Sequence, residues 1–85
     1  MSSGEAVVIE PGGPWSPWAV RRDGQIFLRV PVWLGVADSL WDFEITAEQL
    51  AALAAPARMR LLKDRLDGTT HRDDMRTIID DVCLG

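Results

Sequence analysis

Apolar and polar residues alternate most regularly between Gln25 and Leu34. Ile26, Leu28, Val30, Val32 and Leu34 take every second position, which places all five on one face of a pleated strand. The chain on either side registers against that strand. Ala6 to Ile9 is a β-branched run and reads as a first strand, and Pro11, Gly12, Gly13, Pro14 and Pro17 make Glu10 to Pro17 a loop. Trp18 to Arg22 reads as a second strand. Asp23-Gly24 then supplies a two-residue hairpin turn, because both residue types tolerate positive φ. The turn fixes a register: Arg22 faces Gln25, Arg21 faces Ile26, Val20 faces Phe27, Ala19 faces Leu28, and Trp18 faces Arg29. Trp18 beside Arg29 predicts a cation–π contact on the outer face. Pro31 fits this register, since its backbone turns toward the second strand beyond the point where Pro17 has ended the pairing.

Gly35 to Asp38 reads as a short loop, and Ser39 or Leu40 to Ile45 as a further strand. Setting Leu34 against Ser39 brings Val32 to Trp41, Val30 to Phe43 and Leu28 to Ile45 on the inner face. The same setting places Arg29 opposite Glu44 on the outer face, an opposite-charge pair. The first strand adds at one edge or the other.

From Thr46 the period changes from two to that of a helix. Thr46 and Gln49 have capping-box spacing, and Leu50, Leu53 and Ala54 recur on one side of a helix from Ala47 to Ala54. Pro56 suits the first turn of a new helix better than the interior of an old one. A second helix therefore runs from Pro56 to Leu66, with Leu61, Leu62 and Leu66 as its apolar side; one kinked helix is the alternative. Asp67-Gly68 ends it, the glycine suiting the left-handed position. A last helix, His71 to Val82, is capped by Thr70 and carries Met75, Ile78, Ile79 and Val82 at i, i+3, i+4, i+7. Asp73 and Asp74 lie in its first turn, where the helix dipole favours negative charge. Strands followed by helices give an α+β fold: an antiparallel meander of three or four strands within residues 6–45, with two or three C-terminal helices within 46–83 packed on one face, in a single domain.

Charge changes the picture more than composition does. Thirteen acidic side chains against nine basic ones give a net charge of -4, which phosphate and anionic membrane surfaces repel and a basic protein attracts. Cys83 is the only cysteine, so an intrachain disulfide and a thiolate zinc site are excluded, and a cytoplasmic location is expected. The first residues lack the basic and apolar regions of a secretory signal, and no window has the apolar length of a membrane span.

Candidate chemistry is sparse. His71 is the only histidine. Twelve residues along one helix separate it from Cys83, about 18 Å, so the two form no catalytic pair. His71 and Asp74 alone are too few for a metal. No cofactor signature appears, and the expectation is a protein that is not an enzyme. Pro14-Trp15-Ser16-Pro17 has PxxP spacing and is read first as a rigid connector. Arg58, Arg60, Lys63, Arg65 and Arg72 gather on the second helix and just beyond it, and the two helices have a helix-turn-helix look. Against a DNA-binding regulator stands the aspartate-rich last helix.

What remains is a surface. The outer sheet face carries Trp18, Val20, Phe27 and Trp33 together with Arg22, Arg29 and Glu44, and monomers rarely leave such a patch unused. Either the first strand and the Trp15 loop cover it, or a partner does. The strand Leu40-Trp41-Asp42-Phe43-Glu44-Ile45 runs directly into the helix Thr46-Ala47-Glu48-Gln49-Leu50. With the chain's size and acidity, that layout resembles the immunity proteins of bacterial polymorphic-toxin and contact-dependent inhibition systems. The resemblance implies a non-catalytic toxin inhibitor that covers the active site of a basic toxin domain. The contact residues expected are Arg29, Trp33, Asp38, Asp42 and Glu44, with Asp73, Asp74, Asp80 and Asp81 as an alternative surface. A homodimeric structural or regulatory protein is the second reading, and the helix-turn-helix regulator the third.

Overall fold

The computed structural model describes residues 4–13, 16–33 and 38–84, with the side chains of Trp33 and Asp38 excepted. Four strands, β1 (Ala6–Ile9), β2 (Trp18–Arg22), β3 (Gln25–Trp33) and β4 (Asp38–Ile45), form an antiparallel sheet in the order β1-β2-β3-β4. Three helices follow: α1 (Ala47–Leu53), α2 (Pro56–Leu66) and α3 (Arg72–Leu84). The α+β expectation holds, and β1 occupies the edge beside β2.

The hairpin is as the turn chemistry demands. Asp23 and Gly24 both have positive φ, 54° and 78°, the type I′ requirement. The five β2–β3 pairs run from Arg22↔Gln25 to Trp18↔Arg29. Pro31 lies beyond the last of these and pairs only with Leu40 on the β4 side.

The β3–β4 register differs from the expected one by two residues. Ile26 pairs with Ile45, Leu28 with Phe43, Val30 with Trp41 and Val32 with Ser39. Arg29 therefore faces Asp42, and Glu44 faces Phe27. Asp38 belongs to β4, not to the loop, and residues 34–37 fall outside the described part. Helix begins just after Thr46, so in the expected register Ile26 would have had no strand partner. Two residues of slip bring Ile45 against it and bury both, while the two-residue period keeps every apolar side chain on its face.

The inner face of the sheet packs Ile26, Leu28, Val30, Val32, Phe43 and Ile45 against Leu53, Leu62, Leu66, Met75, Ile79 and Val82 from the helices. Trp41, Leu50 and Met59 close the margin. Both halves of the capping box form: Gln49 N–H donates to Thr46 Oγ1 at 3.1 Å, and Thr46 N–H to Gln49 Oε1 at 2.9 Å. Ala55 is extended and Pro56 opens α2, so the proline separates two helices. Gly68 takes positive φ just beyond the end of α2.

Three helical expectations are corrected. Leu61 is exposed, and Leu62 and Leu66 carry the packing of α2. Ala54 lies outside α1 and is exposed. The last helix starts one residue later than expected and runs two further, with the His71 carbonyl, not Thr70, at its start accepting from Met75 N–H.

A helix-free sheet face and its arginine centre

All three helices lie on the inner side, so the outer face is built from strand positions alone. Period-two alternation lines up Trp18, Arg29 and Asp42 in one row across β2, β3 and β4, and Val20, Phe27 and Glu44 in the next. Pro31 and Leu40 form a third row toward the open end.

Arg29 is the centre of this face. Its Nε donates to Asp42 Oδ1 at 2.8 Å and its Nη2 to Asp42 Oδ2 at 3.1 Å. Nη1 and Nη2 also donate to Glu5 Oε1 and Oε2 at 3.0 and 2.9 Å. One guanidinium thus grips two carboxylates, each by a two-pronged contact. Arg22 Nη1 stands 3.8 Å from Glu5 and adds a second cation. The Arg29 guanidinium holds the carboxyls of both Glu5 and Asp42 below the usual carboxylate range, chiefly through these hydrogen bonds. The carboxylates raise Arg29 in turn.

The same arginines cover apolar rings. The Arg29 guanidinium carbon lies 6.0 Å from the Trp18 ring centre, and that of Arg22 lies 4.9 Å from the Phe27 ring centre. The cation–π contact expected for Trp18 is present. Val20 is 1% exposed, and Trp18 and Phe27 are half-buried. Of the anticipated apolar patch, Trp18, Val20 and Phe27 are therefore sheltered by the chain itself. Glu44 stays exposed, and Gln25 Nε2 donates to its carboxylate at 3.3 Å.

The structure brings Arg29, Asp42 and Glu44 together on one face. Trp33 and Asp38 pair across β3 and β4 at the end of the same ladder; their side chains lie outside the described part. The alternative acidic surface is not uniform. Asp73 and Asp74 are exposed at the start of α3. Asp80 is tied to Arg76 Nη2 at 2.7 Å and to Gln49 Nε2 at 2.8 Å, and the Arg76 contact lowers its carboxyl pKa. Asp81 pairs with Arg65 at 3.0 Å.

Two participants were not singled out from the sequence. Glu5, just ahead of β1, completes the Arg29 cluster. Arg76 joins Arg72 in fastening α3 to β4: Arg72 Nη2 donates to the Asp42 carbonyl at 2.7 Å, and Arg76 Nη1 donates to the Glu44 carbonyl. Their spacing of four residues on one helix face was the available signal. Arg72 also lies over the Phe43 ring, 4.6 Å from its centre.

His71 is exposed. Burial raises the Cys83 thiol, and Asp80 adds to that. Among the described residues, no three His, Cys, Asp or Glu side chains are grouped to hold a metal ion. No helix of the described chain is long and apolar enough to cross a membrane. Of the PxxP stretch, Pro14 and Trp15 lie outside the described part, and Ser16 and Pro17 are buried. No protein-family model, curated protein or solved structure matches this chain.

Proposed function

We propose that this chain is a small, acidic, non-catalytic protein-binding module of the bacterial cytoplasm. Its partner is a basic protein, namely a toxin domain whose active site it covers, as the immunity proteins it resembles in layout do. One observation carries the reading: the sheet face left free by the helices bears the carboxyl groups of Asp42 and Glu5 around Arg29, with Glu44 beside them. A helix-free face of this kind presents fixed charges on rigid strands, and rigid placement lowers the ordering cost of association. The net charge of -4 steers a basic domain toward it.

The test is co-expression with the product of the reading frame immediately upstream, followed by affinity capture and size-exclusion chromatography with light scattering. A stoichiometric complex that survives moderate salt, and that loses affinity in Asp42→Lys and Glu44→Lys chains, supports the reading. A chain that ignores that product and runs as a stable dimer at low micromolar concentration replaces it with the homodimeric one. Retention on heparin at moderate salt would instead return attention to α2.

A further inference from the structure

Among the described residues, β1 is the strand that buries least. Ala6, Val7 and Val8 are exposed, and Ile9 alone packs on the margin of the core. The strand pairs with β2 at Ala6, Val7 and Ile9, and the register shifts between the last two, which interrupts the ladder. Beyond Ile9 the chain is exposed from Glu10 through Pro11, Gly12 and Gly13.

At the other end of β1 stands a contact of a different kind. The Glu5 carboxylate reaches across β2 to accept from both Nη atoms of Arg29 on β3, at 3.0 and 2.9 Å, and lies 3.8 Å from Arg22 Nη1 on β2. β1 is thus pinned at two points, Ile9 and Glu5. The second can let go without disturbing what lies beneath it. Arg29 keeps its bonds to Asp42 through Nε and Nη2, and with them its place on the β3–β4 ladder.

We propose that β1 is a releasable strap with Glu5 as its latch: it leaves β2 as a unit while the other three strands and the helices stay folded. Release bares two things together. In the hairpin, Trp18, Val20 and Arg22 turn their backbone groups toward β3, so Ala19 and Arg21 turn theirs toward β1. With the strap off, those groups form an open strand edge. At the same moment the Nη donors of Arg29 lose their outer carboxylate. The closed strap therefore withholds one site from other strands and from other carboxylates. By reciprocity, a carboxylate that takes Arg29 from outside displaces Glu5 and opens the edge. The strap is independent of the partner proposed above.

Native-state hydrogen exchange of the full isotope-labelled chain, followed over urea concentrations below the unfolding midpoint, tests this. Ala19 and Arg21 are expected to be less protected than Val20 and Leu28. Their protection should also depend little on urea, because release of a four-residue strand exposes little surface, whereas protection at Val20 and Leu28 should fall with urea as global opening takes over. Glu5→Gln is expected to lower protection at Ala19 and Arg21 by about threefold. Glu10→Gln, which removes a carboxylate just beyond the other end of the strand, is expected to leave it unchanged. Both positions are exposed, and the urea-dependent protection at Leu28 verifies that each variant is folded. Equal protection and equal urea dependence at all four amides mean that β1 opens only with the whole domain, and they overturn the strap. Protection at Ala19 and Arg21 that is unmoved by Glu5→Gln, or moved as far by Glu10→Gln, removes the latch and overturns the proposal with it.

Discussion

Replacing Arg29 by Met removes the charge at the centre of the outer face while keeping most of the apolar stem that covers Trp18. The Arg29 side chain is 17% exposed and that of Asp42 28%, and the pair is held by two hydrogen bonds of 2.8 and 3.1 Å. Shielded two-pronged geometry puts such a pair at the upper end of the range for near-surface ion pairs, about 1 kcal/mol. Glu5 acts in the same direction from the solvent side, so the Asp42 pair sets the scale. For a domain of this size about 1 kcal/mol corresponds to a urea midpoint lower by about 1 M and a melting temperature lower by about 4–8 °C. Tryptophan fluorescence follows the unfolding. The pH dependence is the sharper part. Both carboxyls sit below their ordinary values in the folded chain, so their contribution is complete above the ordinary carboxylate range, about pH 4, and is lost as pH falls through the lowered values. The gap between the native chain and Arg29→Met should therefore be full at pH 7 and close on strong acidification. Equal midpoints at pH 7, or a gap that persists in acid, would refute the reasoning.

Three further outcomes follow from the packing. Ile79 is fully buried at the centre of α3, and Ile79→Ala should cost about 2–5 kcal/mol in urea unfolding, enough to leave so small a domain partly unfolded at room temperature. Thr46→Ala removes one half of the capping box at α1 and should cost about 1 kcal/mol in the same assay. Replacing Arg72 and Arg76 together by Ala frees the Asp42 and Glu44 carbonyls, and light scattering should then report self-association at concentrations where the native chain scatters little.

The sequence showed most where a local rule had one solution. Asp23-Gly24 admits one tight turn, and with it the whole β2–β3 ladder was legible, including the place of Pro31. Thr46 with Gln49, Pro56 and Gly68 marked helix ends for equally local reasons. The β3–β4 register was not legible, because a slip of two residues preserves the inner face and offers Arg29 an acid either way, Glu44 or Asp42. Tertiary demands decide between them: Ile26 gains Ile45, and two α3 arginines reach the Asp42 and Glu44 carbonyls. The same limit hid Glu5, whose partner is twenty-four residues away. Leu61 misled because an apolar side chain beside the packed stripe of a helix reads as part of it. Of the candidate contact residues, Arg29, Asp42 and Glu44 lie on one sheet face, and Asp42, like Asp80 and Asp81, is engaged by an arginine of the chain.

The central claim is that the sheet register sets Arg29 beside Asp42 on a face the helices leave free. Arg29↔Asp42 and Phe27↔Glu44 are non-hydrogen-bonded pairs, in which facing α-carbons approach to about 4.5 Å and their α-protons point at one another. Nuclear Overhauser spectroscopy of the chain in heavy water reads those protons directly. Strong α-proton cross-peaks between Arg29 and Asp42 and between Phe27 and Glu44 are predicted. A cross-peak between the α-protons of Arg29 and Glu44, with none to Asp42, would contradict the account.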